Sequence, residues 1–230
     1  MFVSLRLVAA GSLLGIVLGV ALGAWMAVRQ YRMSDRVTTL ASLIIISTPT
    51  VVIAVVLQLL AIKYNQATGS QFFEFLGETG RHGDTALSPL WDRLQHLLLP
   101  TLTLLLIYAA TYSRIQRNLM LDTLGADYVR TARAKGLRKA AALRKHALRT
   151  ALIPVGTYFA FTMAQVVLGS IFLELVFGWH GMGIYGVQAI QEQDINGSVA
   201  VAAFGGVCVL VGATFSDVLV AFLDPRVRVS

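Results

Sequence analysis

Asp127-Tyr-Val-Arg-Thr-Ala-Arg-Ala-Lys-Gly-Leu-Arg-Lys139, continuing through Ala142-Leu-Arg-Lys-His-Ala-Leu-Arg-Thr-Ala-Leu-Ile-Pro154, is the one long basic stretch in a chain that is otherwise mostly apolar. Ten of the nineteen Lys and Arg residues lie between Arg114 and Arg149, against two acids, Asp122 and Asp127. Ala, Arg, Lys and Leu are strong helix formers. Gly136 is the residue that interrupts them, so the stretch predicts two short helices with a break at Lys135-Gly136-Leu137. Val129, Ala132, Ala140, Leu143 and Ala147 give those helices small apolar faces, with the basic residues on the rest.

Outward from this stretch the chain reads as an all-α polytopic membrane protein. Of its 230 residues 56% are hydrophobic and 13% charged, where a soluble domain carries about 25% charge. Apolar runs near 20 residues recur, the length that crosses a hydrocarbon core. The net charge of +7 comes mostly from the basic stretch. That stretch lies between spans and lacks aromatic residues interleaved for base stacking, which argues against a nucleic-acid partner and for a lipid bilayer. Cys208, the one cysteine, lies in an apolar run and reads as a small packing residue.

Five spans are expected. The first covers about Ser4–Val28. A signal peptide is the rival reading, but the apolar run exceeds a signal core of about 7–15 residues, and Arg29, Arg32 and Arg36 follow as a stop. Gly11, Gly15, Gly19 and Gly23 recur every fourth residue, which stacks them on one face where another helix backbone can approach. The second span covers about Thr38–Ile62, with Ser47-Thr48-Pro49 near its middle. Pro49 frees a carbonyl that protein, hydroxyls or water must satisfy. Lining a pathway, together with Ser47 and Gln58, and simple kinking are both open readings. The third span covers about Leu97–Ser113, with Pro100 suited to a first helical turn. The fourth covers about Thr150–Leu173 and the fifth about Ser198–Leu223.

The connections alternate in charge. Residues 29–36 carry three basic residues and one acid, 63–95 three and four, and 114–149 ten and two. Residues 174–195 carry three acids, one of them Glu174, and no Lys or Arg. Basic connections stay in the cytoplasm, so 29–36, 114–149 and the tail are expected inside, and Met1, 63–95 and 174–195 outside. The whole chain, 1–230, is expected to be a single transmembrane domain.

Several stretches resemble binding-protein-dependent ABC importer permeases of the dipeptide, oligopeptide and nickel branch. Tyr128-Val-Arg-Thr-Ala-Arg-Ala-Lys-Gly136, His146-Ala-Leu-Arg149 and Ala151-Leu-Ile-Pro154 are similar to that branch's cytoplasmic loop. Leu173-Glu-Leu-Val-Phe-Gly-Trp-His-Gly-Met-Gly183 resembles an external segment of the family, with His180 where proline is usual. Asp224-Pro-Arg-Val-Arg228 resembles its C-terminus. The resemblance implies a type I ABC importer permease fold in a prokaryotic plasma (inner) membrane, crossing it several times. It implies a loop that docks on an ATPase subunit through Tyr128, Arg130, Thr131, Ala132, Lys135, Gly136, Leu137, His146 and Leu148. It further implies a second permease subunit, two ATP-binding subunits and an extracytoplasmic substrate-binding protein, with dipeptides or oligopeptides as cargo and nickel as the alternative. The family core has six spans, so this chain is expected to begin at the second of them.

The chemistry of an enzyme is not legible. There is no phosphate-binding Gly-x-x-x-x-Gly-Lys loop, no paired His/Glu metal motif and no nucleophile elbow. No catalytic residue, metal ligand or cofactor is therefore expected in this chain, and ATP is expected on the partner subunits. His82 and His96 read as loop or interface residues. Asp217 is the one acid well inside a span. A proton-driven secondary transporter, the rival from another class, would need more such groups. A structural bond to a neighbouring helix or arginine is the preferred role for it.

The orientation is testable in a Cys208→Ser background. An impermeant thiol reagent added to intact cells should modify the Glu78→Cys protein and leave the Lys139→Cys protein unmodified. Labelling of Lys139→Cys from outside would overturn the assignment.

Overall fold

The computed structural model describes residues 2–80, 88–124, 126–137, 147–148, 150–152, 154–159 and 171–223. These residues form eight labelled helices: α1 Phe2–Val28, α2 Met33–Ser47, α3 Thr50–Thr68, α4 Ser88–Leu124, α5 Asp127–Ala134, α6 Ile171–Phe177, α7 Met182–Gln191 and α8 Ile195–Leu223. Residues 150–152 and 154–159 are also helical. Among the described residues there is no strand. Among the described residues four helices are long and apolar enough to cross a membrane: Val3–Val28, Thr50–Thr68, Leu90–Leu124 and Ile195–Phe215. Half of the expected fourth span, residue 153 and residues 160–170, lies outside the described residues, as does the tail from 224.

The centre is the contact of α1 with α4. Gly11, Gly15, Gly19 and Gly23 are all buried and lie directly on the α4 backbone. A Cβ at Gly11 would stand 2.9 Å from the Thr101 carbonyl oxygen, at Gly15 2.9 Å from that of Leu105, and at Gly19 2.9 Å from that of Ala109. At Gly23 it would collide with the Ser113 carbonyl oxygen. Lipid tails are as apolar as leucine, so helices in a bilayer associate through such close van der Waals packing. Residue numbers rise together along both helices, so α1 and α4 run parallel. The chain between them must cross back, and α2 with α3 makes that return.

The return path is antiparallel to α4. Asp35 of α2 meets Arg117 at one end, and the Ser42 and Ser113 hydroxyls lie 3.3 Å apart one stage further along. Ala54 and Ala61 of α3 then join the cluster that contains Leu99 at the other end. The second span is not continuous. α2 stops at Ser47, Thr48 is extended with ψ 127°, and Pro49 caps α3. Proline biases the residue before it away from the helical region. Here the bias at Thr48 breaks the helix outright instead of kinking it.

α4 departs further from expectation. It has 37 residues and begins at Ser88, so Pro100 sits well inside it and not in its first turn. At 1.5 Å per residue it is about 55 Å long, against a hydrocarbon core of about 30 Å. It therefore reaches beyond the hydrocarbon core and carries Arg114, Arg117 and Asp122 on its own last turns. Residues 63–68 of the expected 63–95 connection belong to α3 and residues 88–95 to α4, and the basic connection begins inside α4. The 174–195 segment is largely helical, in α6 and α7.

The α1–α4 contact predicts a contrast between glycines. Gly15→Val should destabilise the purified chain by about 1–3 kcal/mol, the cost of overpacking, and lower its thermal midpoint in detergent. Gly206→Val on α8, where a Cβ meets nothing within 4 Å, should leave the midpoint within error.

Candidate functional site

The candidate site is the basic end of the bundle. α5 carries Asp127 in its first turn, favourable for the helix dipole. Thr131 returns its hydroxyl to the Asp127 carbonyl at 2.8 Å, and the Lys135 N–H donates to the Thr131 carbonyl at 3.0 Å. Gly136 follows with φ +91°, a region closed to most side chains. It is exposed, as are Thr131 and Lys135. The helix thus ends in a left-handed turn, and the chain leaves it at Leu137.

What holds this loop to the spans is a small apolar cluster. Val129, Ala147 and Ala151 are buried with Ala27 of α1 and Met120 of α4, and Leu137 and Leu148 pack against them. The Thr123 hydroxyl donates to the Met120 carbonyl at 3.0 Å and to the Ala147 carbonyl at 3.4 Å. Of the expected docking residues, Leu137 and Leu148 therefore face the spans, while Thr131, Lys135 and Gly136 are outward. Tyr128, Arg130 and Ala132 lie on α5, but their side chains are outside the described residues, as is the whole of His146. The loop rests on the ends of the two helices that the glycine contact binds together.

Beside it, Arg117 forks onto Asp35: Nε donates to Oδ1 at 2.8 Å and Nη2 to Oδ2 at 2.9 Å. The Tyr31 N–H adds a third bond to Oδ2 at 3.0 Å. Asp35 is almost fully buried and Arg117 partly so. The Arg117 hydrogen bonds hold the Asp35 carboxyl below the usual carboxylate range, against the opposing effect of burial. Sequence reasoning missed this pair. Its signal was Asp35 itself, the lone acid in the basic 29–36 connection.

The opposite end is tied by Glu174, also missed. It is completely buried in α6, although it stands in an acidic connection with no Lys or Arg. The Ser4 hydroxyl donates to Glu174 Oε1 at 2.6 Å and accepts the Met182 N–H at 2.8 Å. Glu174 Oε2 accepts the Ile184 N–H at 2.9 Å. These are orphan donors of the first turn of α7, and they are capped here by side chains from α1 and α6. Gly181 makes the approach possible, since a Cβ there would strike the Glu174 carboxylate and the Ser4 hydroxyl. An acid inside the apolar Leu-Glu-Leu-Val-Phe run was the available signal.

Of the expected pathway residues, two flank the α2–α3 break and Gln58 lies further along α3. Ser47 and Pro49 are exposed at the α2–α3 break. Gln58 donates to the Val176 carbonyl at 2.9 Å, which joins α3 to α6. Asp217 is exposed on α8, and no partner for it is found among the described residues.

A parallel helix pair with a loop packed on one end and a capped helical segment at the other is the architecture of a polytopic helical membrane protein. The chain belongs to the family described as binding-protein-dependent transport system inner membrane component, which it matches over residues 19–229. It is 55% identical over 230 residues to the oligopeptide transport system permease protein OppB of Mycobacterium tuberculosis, covering 99% of this chain and 70% of that protein. A putative peptide permease protein of Brucella ovis is 36% identical over 228 residues, 99% of this chain and 69% of its own length. The oligopeptide transport system permease protein AppB of Bacillus subtilis is 39% identical over 139 residues, 60% of this chain and 44% of its own.

The Asp35–Arg117 pair predicts a pH dependence. A depressed carboxyl pKa contributes stability above the unfolded value of about 3.9, which is lost as pH falls through the folded value. Asp35→Asn should cost about 3 kcal/mol at pH 7, the low end for breaking a buried pair. Thermal unfolding in detergent should show the gap between wild type and variant closing below about pH 4.

Proposed function

We propose that this chain is the permease subunit of an ATP-driven importer of oligopeptides. The observation that carries the reading is the basic loop, anchored through Val129, Leu137, Ala147 and Leu148 on the ends of α1 and α4 with Thr131, Lys135 and Gly136 turned outward. The oligopeptide permease named in the 55% identical relative supports the cargo. The loop lies in the cytoplasm of a prokaryote and docks on one of two ATPase subunits. A second permease completes the path, and a binding protein delivers peptide from outside. Residues 69–80 and 174–195 face that side.

In this cycle the chain binds no nucleotide and performs no chemistry. Closure of the ATPase pair on ATP displaces the docked loop. The cluster under the loop passes the displacement to α1 and α4, which move together because their glycine contact leaves no slack. The spans then exchange between inward- and outward-facing arrangements, a two-state equilibrium biased by nucleotide.

Gly136 gives the test. Valine at φ +91° is strained by about 1–2 kcal/mol, yet among the described residues a Cβ there meets nothing within 4 Å. Gly136→Val should leave membrane insertion and pairing with the second permease intact. It should lower co-purification of the ATPase subunits and abolish uptake of a labelled oligopeptide in the same cells. Normal uptake by the variant would remove the loop from the mechanism.

A further inference from the structure

The end of the molecule opposite the basic loop brings together three side chains that the sequence keeps apart. Asp92 and His96 stand one turn apart on α4, and Glu74 comes from the connection before it. His96 is 3% exposed and Asp92 6%, while Glu74 is about one third exposed, at 34%. One ligand atom from each lies within 4.8 Å of the other two.

Each group is oriented by a further bond. His96 Nδ1 is 2.8 Å from the Asp92 carbonyl oxygen. A carbonyl only accepts, so Nδ1 carries the proton, and in the neutral ring Nε2 keeps its lone pair. That is the arrangement by which ligating imidazoles are commonly held. Both Asp92 carboxylate oxygens accept the Gly80 N–H at 3.0 Å, with lone pairs to spare. Glu74 Oε2 stands 3.9 Å from His96 Nε2, and Asp92 Oδ1 stands 3.5 Å from Nδ1. Both separations exceed a good hydrogen bond. The first is about half an ångström longer than the edge, about 3.4 Å, between two ligands of a tetrahedral ion at about 2.1 Å, a gap that a small movement of the partly exposed Glu74 side chain closes. Glu74 and His96 also line a cavity of about 450 Å³ shared with Asn65, Gln66 and Gln71. The cavity offers an entry path and room for water to complete the coordination.

We propose that Glu74, Asp92 and His96 form a divalent-cation site on the outward end of α4. One imidazole nitrogen with two carboxylates, and a position left for water, suits Zn²⁺ above Mg²⁺ or Ca²⁺. Two ligands belong to α4 and one to the 69–80 segment, so the ion clamps that segment onto the helix. The segment also bonds to α6, through the Gly77 N–H and the Phe177 carbonyl at 2.8 Å. The clamp therefore sets the position of the outward face beside α6 and α7. The spacing explains why the sequence did not disclose it: the ligands stand at positions 74, 92 and 96, and only the last two share a helix face.

The test uses the tag-free full chain purified with its partner permease, stripped with chelator and titrated with Zn²⁺. Bound metal is counted by elemental analysis and affinity read by calorimetry. Wild type should hold one Zn²⁺ per chain at this site, and Zn²⁺ should raise its thermal midpoint. His96→Ala and Glu74→Gln should weaken that binding at least tenfold and abolish the shift in midpoint. Glu78→Gln, in the same connection but paired with Arg6 at 3.4 Å, should behave as wild type. If His96→Ala fails to fold, Glu74→Gln decides, because its side chain is partly exposed and its loss leaves the helix intact. Equal Zn²⁺ binding by wild type and Glu74→Gln, or none by wild type, overturns the proposal.

Discussion

The rest of the structure depends on how closely α1 lies on α4. Four glycines in register bring the α1 backbone to within van der Waals range of α4 carbonyls over about three turns. The contact is backbone on side-chain stem and carbonyl, so there is little for either helix to slide or roll against. It fixes the two helices as parallel, and parallel neighbours joined by one polypeptide need a return crossing. α2 and α3 are that crossing. Their placement follows from the contact and from the bonds at either end, Asp35 to Arg117 and Gln58 to the Val176 carbonyl.

The same pairing explains why the two ends of the molecule are differently built. At the basic end, α1 and α4 finish together, and Ala27 and Met120 give the loop one shared apolar seat. A loop seated on both helices cannot shift one without the other. At the opposite end, Ser4 of α1 reaches Glu174 and the start of α7. A polar bond there costs little specificity of shape but demands full satisfaction, since an unpaired buried carboxylate is expensive. In the proposed transport cycle the rigid pair carries displacement between those ends. α8, by contrast, is mostly exposed within this chain, as a helix facing lipid or a second subunit must be.

Much of this was legible in the residues, and what was not has a physical reason. Composition and apolar run length give helices that cross a membrane, because both are sums over many residues. The four-residue glycine spacing points to one face, though not to the helix that face meets. The break at Gly136 is legible because glycine is the residue that tolerates such a backbone. Pro49 and Pro100 were misread in opposite directions. Proline weakens a helix at any position, and tertiary contacts decide whether it breaks, as after Ser47, or is absorbed, as in the buried middle of α4. The extra length of α4 was hidden by its polar ends, which look like loop until their partners are known. Asp35, Glu174 and the triad of Glu74, Asp92 and His96 each depend on residues far apart in the chain. No local pattern encodes such pairings.

The central claim is that the glycine face of α1 packs on α4 in this register within the assembled membrane protein. Paired cysteines test it most directly, in a Cys208→Ser background carrying a protease site between residues 81 and 87. The Gly11→Cys and Leu104→Cys pair has Cβ positions close enough to cross-link after slight relaxation, since a disulfide sets them about 3.8 Å apart. The Gly11→Cys and Tyr112→Cys pair lies two turns out of register. After oxidation in membranes and proteolysis, the first pair should keep the two fragments joined until reductant is added, and the second should release them. Release of the first pair together with retention of the second would contradict the register on which the account rests.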